Sequence, residues 1–204
     1  LACGVISGQQ LEPLLDRPSV LVVGPGLGRS PWSEQLLQKA VATGLPMVLD
    51  ADALNILAEG RVVRQSESQQ WVLTPHMGEA ARLLGVSVED IQSDRFSAVA
   101  KIKEKYNAVV LLKGPGTLIS SEDQIFKLCP YGNPGMATAG MGDLLSGIIG
   151  GLMAQGLERQ QAAELGCCLH SAAADEWVST AGYRGITASD ILPWVQKLLN
   201  QDFS

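Results

Sequence analysis

Positive charge is scarce in this chain. Its 204 residues carry 15 Lys and Arg against 21 Asp and Glu, a formal net charge of −6. That balance excludes a nucleic-acid footprint or a polybasic membrane patch, so an anionic ligand needs a locally built site. No uninterrupted apolar stretch of about 20 residues occurs, and no basic-then-apolar leader pattern opens the chain, so neither a membrane span nor a secretory signal is expected. The four cysteines, Cys3, Cys129, Cys167 and Cys168, form no CxxC pair, and the neighbours Cys167 and Cys168 are poorly placed to bridge each other. Reduced thiols and a cytoplasmic location are the expectation. Neither a Walker A sequence nor the GxGxxG dinucleotide fingerprint occurs, so a nucleotide phosphate must be held differently. Internal repeats and low-complexity tracts are lacking too, and histidine is limited to His76 and His170.

Apolar residues, at 46%, are ample for a buried core, and the length suits one domain over 1–204. Short apolar runs recur at Val20 to Val23, Met47 to Leu49, Trp71 to Leu73 and Val109 to Leu112. Their continuity, without polar alternation, predicts strands buried on both faces of a parallel sheet. Helical patterns lie between them. Ser30 with Pro31 opens one that stops at Gly44, Gly78 to Leu84 forms a short one ending at Gly85, and Ser93 opens one that runs to Asn107. After residue 130 the strand-like runs give way to helices over Asp143–Gln155, Gln160–Val178 and Ala188–Leu199. Thr187 with Asp190 is a capping-box variant for the last, and Pro193 is expected to disturb its first turns. The strand–helix alternation predicts an α/β fold with helices on both faces of a mostly parallel sheet.

In such a sheet, ligands bind beyond the carboxyl ends of the strands. Four segments stand there: GPGLG at 24–28, DADALN at 50–55, TPHMGE at 74–79 and KGPGT at 113–117. GPGLG either lets backbone approach a ligand or is only a strand-to-helix turn. In DADALN, Asp50 and Asp52 share a face if the strand continues, with Asn55 one turn later; the alternative is that Asp52 caps a following helix. His76, at a strand end, can hydrogen-bond a phosphate or hydroxyl through either ring nitrogen, or simply face solvent. His170, inside a helical pattern, reads as a core or solvent residue. Lys113 can neutralise phosphate while the amides of its glycine turn and Thr117 add hydrogen bonds; the alternative is a hairpin turn into a strand over Thr117–Ser120, and both hold together.

The segment GNPGMATAGMGDLLSGIIGG at 132–151 joins a glycine-rich loop to a helix with Leu144, Leu145, Ile148, Ile149, Leu152 and Met153 at helical spacing. Glycines just before a helix leave its first amides free to converge on an anion, which the helix dipole also favours. An acid beside such an anion hole is awkward for binding alone. Asp143 suits a base that takes a proton from a hydroxyl attacking a phosphoryl group, or else an ordinary helix cap.

GMGD before an apolar helix, with KGPGT upstream, resembles the ribokinase-like superfamily. GPGLG, DADALN, TPHMGE, KGPGT and GNPGMATAGMGD together, in order from residue 24 to 147, resemble the ADP-dependent NAD(P)H-hydrate dehydratase family. The resemblance implies a ribokinase-like three-layer sandwich and a repair reaction. ADP phosphorylates the ring hydroxyl of hydrated NADH or NADPH, phosphate is eliminated, and NAD(P)H and AMP are released. It further implies nucleotide contacts from Lys113, Gly114, Pro115, Gly116, Thr117 and Gly142, and substrate contacts from Gly28, His76 and Asp143, with Asp143 the base. Asp52, Asn55 and Asn133 are additional candidates. Magnesium is implied by the phosphoryl transfer, although the sequence specifies no ligand set. A homo-oligomer is expected, and an epimerase domain in the full-length protein. Met77 stands where relatives often have proline, a change expected to leave His76 undisturbed. The family's domain carries further strands and helices before the GPGLG turn, so a start at Leu1 predicts an N-terminally shortened domain with an open sheet edge favouring association. Two alternatives are a kinase of the same superfamily acting on a small alcohol such as a thiazole, and a nucleotide-binding module without catalysis.

Overall fold

The computed structural model describes residues 8–62, 70–120 and 125–200; Cys3 lies outside them. Six strands form one sheet in the order β1 (Leu21–Val23), β2 (Met47–Leu49), β3 (Trp71–Leu73), β4 (Val109–Leu112), β5 (Leu118–Ile119) and β6 (Lys127–Leu128). Strands β1 to β4 are parallel, and β4–β5 and β5–β6 are antiparallel. The four apolar runs are thus the parallel strands, and the run after KGPGT is the second arm of a hairpin. β6 was not anticipated: its two residues, Lys127 and Leu128, are exposed and carry no apolar signal.

The period of two along each strand divides the core into two layers. Met47, Leu49, Trp71, Leu73, Val110 and Leu112 pack on one face. There they meet α2 (Pro31–Ala42), α3 (Ala51–Ala58), α4 (Met77–Leu84) and α6 (Arg95–Tyr106), through Leu37, Leu54, Leu83 and Ile102 among others. Val48, Val72, Val109, Leu111 and Ile119 face the other way, onto α7 (Met141–Ala154) and α8 (Arg159–Ala181). The result is a helix–sheet–helix sandwich. α1 (Gly8–Leu15) and α5 (Val88–Ser93) complete the set before α6, and α9 (Leu192–Leu199) packs on α8. No helix among the described residues is long and apolar enough to cross a membrane.

Capping chemistry sets most helix starts. Ser30 accepts from Ser33 N–H with Pro31 in the first turn, as anticipated. For α6 the cap is Asp94 rather than Ser93. Asp94 Oδ1 accepts the Ser97 amide at 2.9 Å, whereas Ser93 ends α5 and its hydroxyl donates to the Asp90 carbonyl at 2.8 Å. The final helical pattern is split by Pro193 into a 3₁₀ turn over Ala188–Ile191 and then α9. Asp190 accepts from both the Thr187 amide and hydroxyl at 2.7 Å, closing the expected box.

Candidate functional site

The carboxyl ends of β1 to β4 carry the four motifs, and α7 begins above them. At the end of β1, Gly24 has φ +132° and touches the Asp50 carbonyl so closely that a Cβ there would lie 1.7 Å from the oxygen. Only glycine fits. The GPGLG turn is therefore held against β2, and the Gly28 amide donates to Asp52 Oδ2 at 2.8 Å. This corrects the reading of Asp52 as a helix cap. β2 ends at Leu49, α3 begins at Ala51, and Asp50 holds the cap position, while Asp52 sits in the first turn and fixes the glycine loop. Asp50 and Asp52 consequently share no strand face. Asn55 Oδ1 accepts from Arg82 Nη1 at 2.9 Å, a link between α3 and α4.

His76 caps α4. Its Nδ1 accepts from the amides of Gly78 and Glu79 at 2.9 and 3.2 Å, and Glu79 Oε2 accepts the His76 amide at 2.8 Å. These bonds assign the ring proton to Nε2, a donor on a half-exposed ring, 3.4 Å from Glu79 Oε1. Met77 lies on the KGPGT side, where its Cε would be 3.1 Å from a Cβ at Gly114.

Lys113 follows β4, its amide donating to the Pro75 carbonyl at 2.8 Å. Its Nζ donates to Asp50 Oδ1 at 2.7 Å and lies 3.9 Å from Glu79 Oε2. Asp50 is 1% exposed and also accepts from Ser146 Oγ at 2.9 Å. The turn that follows is clamped by Arg95, whose Nη1 and Nη2 donate to the carbonyls of Pro115 and Gly116 at 2.8 and 2.6 Å. Thr117 Oγ1 donates to the Gly114 carbonyl at 3.2 Å. Arg95 and Thr117 thus take up the carbonyls of Gly114, Pro115 and Gly116 and fix the turn.

α7 starts with Gly140 at φ +87° as its cap, and no side chain caps the helix. Asp143 is therefore the third helical residue and not the cap, a correction to one of its two readings. It is exposed, which leaves its carboxylate available to a ligand. Gly142 stands over the ion pair: a Cβ there would lie 3.2 Å from Lys113 Nζ and 3.4 Å from Asp50 Oδ2. Lys113, Gly142 and the first amides of α7 are thus brought together. The GNPG loop is tied to α8, with Gly132 N–H and Asn133 Nδ2 donating to the Asp175 carboxylate at 2.9 and 2.7 Å. Asn133 serves as an anchor in this arrangement. His170 is buried on α8 with Nε2 unpartnered among the described residues. Burial, helped by the charge of Lys113, lowers its pKa to about 4.

Glu79, Ser146 and Arg95 are side chains that the sequence reading did not single out, and Asp50 is one that it named without a role. Asp50 and Glu79 lie inside quoted motifs, yet their burial and pairing arise only from tertiary contact. Ser146 falls one turn along α7 from Gly142 and reads as an ordinary helix position, and Arg95 as a surface cation.

The NAD(P)H-hydrate dehydratase family model (Carb_kinase) matches residues 2–197. The bifunctional NAD(P)H-hydrate repair enzyme of Coxiella burnetii is 52% identical over 196 residues, covering 96% of this chain and 39% of that protein. This chain spans well under half the length of the bifunctional relatives it matches. Among solved structures, an ADP/ATP-dependent NAD(P)H-hydrate dehydratase from Bacillus subtilis, crystallised with ATP and magnesium, superposes with a TM-score of 0.76 at 31% identity, covering 88% of this chain and 66% of that one. A ribokinase-like superfamily protein from Enterococcus faecalis superposes with a TM-score of 0.79 at 25% identity, covering 96% and 69%. The fold is ribokinase-like, and the chain belongs to the NAD(P)H-hydrate dehydratase family.

Proposed function

We propose that the protein restores NADH or NADPH from its hydrated form at the expense of ADP, releasing AMP and phosphate. The observation that carries this reading is the approach of Lys113 Nζ to Gly142 at the start of α7, a helix end that no side chain caps, with the glycine turn 114–117 directly after Lys113. It is supported by the family to which the chain belongs. In this reading the amides of α7 and Lys113 hold the transferring phosphoryl group, and Gly114 to Thr117 hold the rest of the nucleotide. His76 and Gly28 orient the hydrated ring. Asp143 takes the proton of the ring hydroxyl as its oxygen attacks the terminal phosphorus of ADP and AMP leaves. Phosphate then leaves with the electron pair of its bond to the ring carbon, expelled by the ring nitrogen lone pair, and loss of a proton from the adjacent ring carbon to water restores the dihydropyridine.

Among the described residues no group of three or more His, Cys, Asp or Glu converges into a metal cage. Magnesium suits this site as an ion held chiefly by nucleotide phosphates and water, which leaves Asp143 to act as the base. When bound it neutralises charge on the transferring phosphoryl group.

Product analysis distinguishes the dehydratase from a kinase of the same fold. With hydrated NADH and ADP, AMP and inorganic phosphate should appear in equal amounts with the reduced nicotinamide. Conversion of a thiazole alcohol to a stable phosphate ester, without inorganic phosphate, would replace this reading by the kinase one. Nucleotide binding without turnover in the full-length protein would reduce it to a binding module.

A further inference from the structure

Lys113 is a cation placed against the positive end of a helix. Its Nζ lies beneath Gly142, the second residue of α7, where the free amides carry partial positive charge. Ammonium and helix end repel each other unless something negative stands between them. Asp50 stands there. Its two oxygens are divided between the parties: Oδ1 takes a proton of Lys113 at 2.7 Å, and Oδ2 takes the hydroxyl proton of Ser146, in the second turn of α7, at 2.9 Å. Thr74 Oγ1, at the end of β3, donates to the Leu49 carbonyl at 3.3 Å and lies 3.4 Å from Ser146 Oγ. The backbone holds the carboxylate in place as well. Ala51, whose amide donates to Asp50 Oδ1 at 2.9 Å, is left-handed at φ +46°, which an L-residue adopts only under constraint.

We infer that Asp50 is a positioning residue, which holds the Lys113 ammonium and, through Ser146, the first turn of α7 in one fixed relation, so that both address the same phosphate. The inference rests on reading Lys113 and α7 as the phosphate site. A buried carboxylate beneath an anion site opposes anion binding, so its presence is justified by orientation and not by attraction. An ammonium has three donors; Asp50 occupies one and thereby aims the other two. A helix turn anchored to the same carboxylate cannot shift independently of the ammonium.

The test compares kcat, KM for ADP, AMP affinity and thermal melting in the full-length protein. The variants are D50N, S146A and K113M, with the doubles D50N/K113M and S146A/K113M. D50N should lower kcat about tenfold to hundredfold, the loss expected from misplacing a catalytic contact by about 1 Å. AMP should bind D50N no more weakly than wild type, because a negative charge has left the site. In the K113M background, D50N and S146A should each cost less than they do in the wild type, because the lysine they help to aim is gone. S146A perturbs the fold least and decides the matter if D50N does not fold. Wild-type kcat in D50N or S146A would overturn the inference. So would a loss that multiplies fully with that of K113M, or one in which kcat, AMP affinity and melting fall together. Wild-type kcat and KM in K113M is a separate result: it would overturn the phosphate reading itself.

Discussion

At the scale of single residues, burial decides what each polar group does. His170 is 4% exposed and, driven mainly by desolvation, titrates near pH 4 in the folded protein against about 6.5 in an unfolded chain. A base with a depressed folded pKa contributes fully while both states are neutral, above about pH 6.5. As pH falls from about 6.5 towards 4, the unfolded state takes up a proton that the folded state refuses, and stability declines by roughly 3 kcal/mol at most before levelling off. Urea unfolding at pH 7.5 and at pH 4.5 measures this, and His170→Gln should remove most of the difference. An unchanged pH dependence in that variant would assign the acid sensitivity to other groups. The same scale separates what was legible from what was not. His76, Lys113 and Asp143 could be singled out because each sits directly after a strand or beside glycines. Asp50 could not be told from Asp52, since a carboxylate near a strand end reads alike whether it faces a lysine 63 residues away or a glycine loop. Asp143 was readable as a cap only because a left-handed glycine at 140, the actual cap, has no side-chain signature.

At the scale of elements, apolar runs and caps placed the strands and most helices well, because each signal is local. The four parallel strands required nothing beyond their own continuity. β6, two exposed residues paired to a two-residue neighbour, exists through pairing alone and was invisible. Close packing of α7 was legible as glycine but not as contact. Gly150 faces β1, where a Cβ would lie 2.4 Å from Val22 Cγ2, and Gly166 on α8 similarly clears Ile149. Gly150→Ala should therefore push α7 off the sheet and destabilise the protein by about 1–3 kcal/mol, the usual cost of overpacking. Adding Val22→Ala should recover much of that loss, which denaturant midpoints of the single and double variants will reveal. A Gly150→Ala variant with a wild-type midpoint would contradict the packing of α7 on β1. Because α7 also carries Gly142 and Asp143, the single variant is expected to lose catalytic rate along with stability.

At the scale of the whole molecule, the sheet orders its ligand motifs before any side chain is considered. Parallel strands β1 to β4 bring GPGLG, DADALN, TPHMGE and KGPGT to one edge of the sheet, and α7 covers that edge with its amino end. This is why the motifs read at the strand ends lie on one side of the sheet. A phosphoryl-transfer site serving dehydration at the carboxyl ends of β1 to β4 has an optical signature. The full-length protein, given hydrated NADH, ADP and magnesium, should regain the reduced-nicotinamide absorbance, and Asp143→Ala should abolish that gain while still binding AMP. No gain from the wild-type protein, or an undiminished gain from Asp143→Ala, would contradict a dehydratase site with Asp143 as its base.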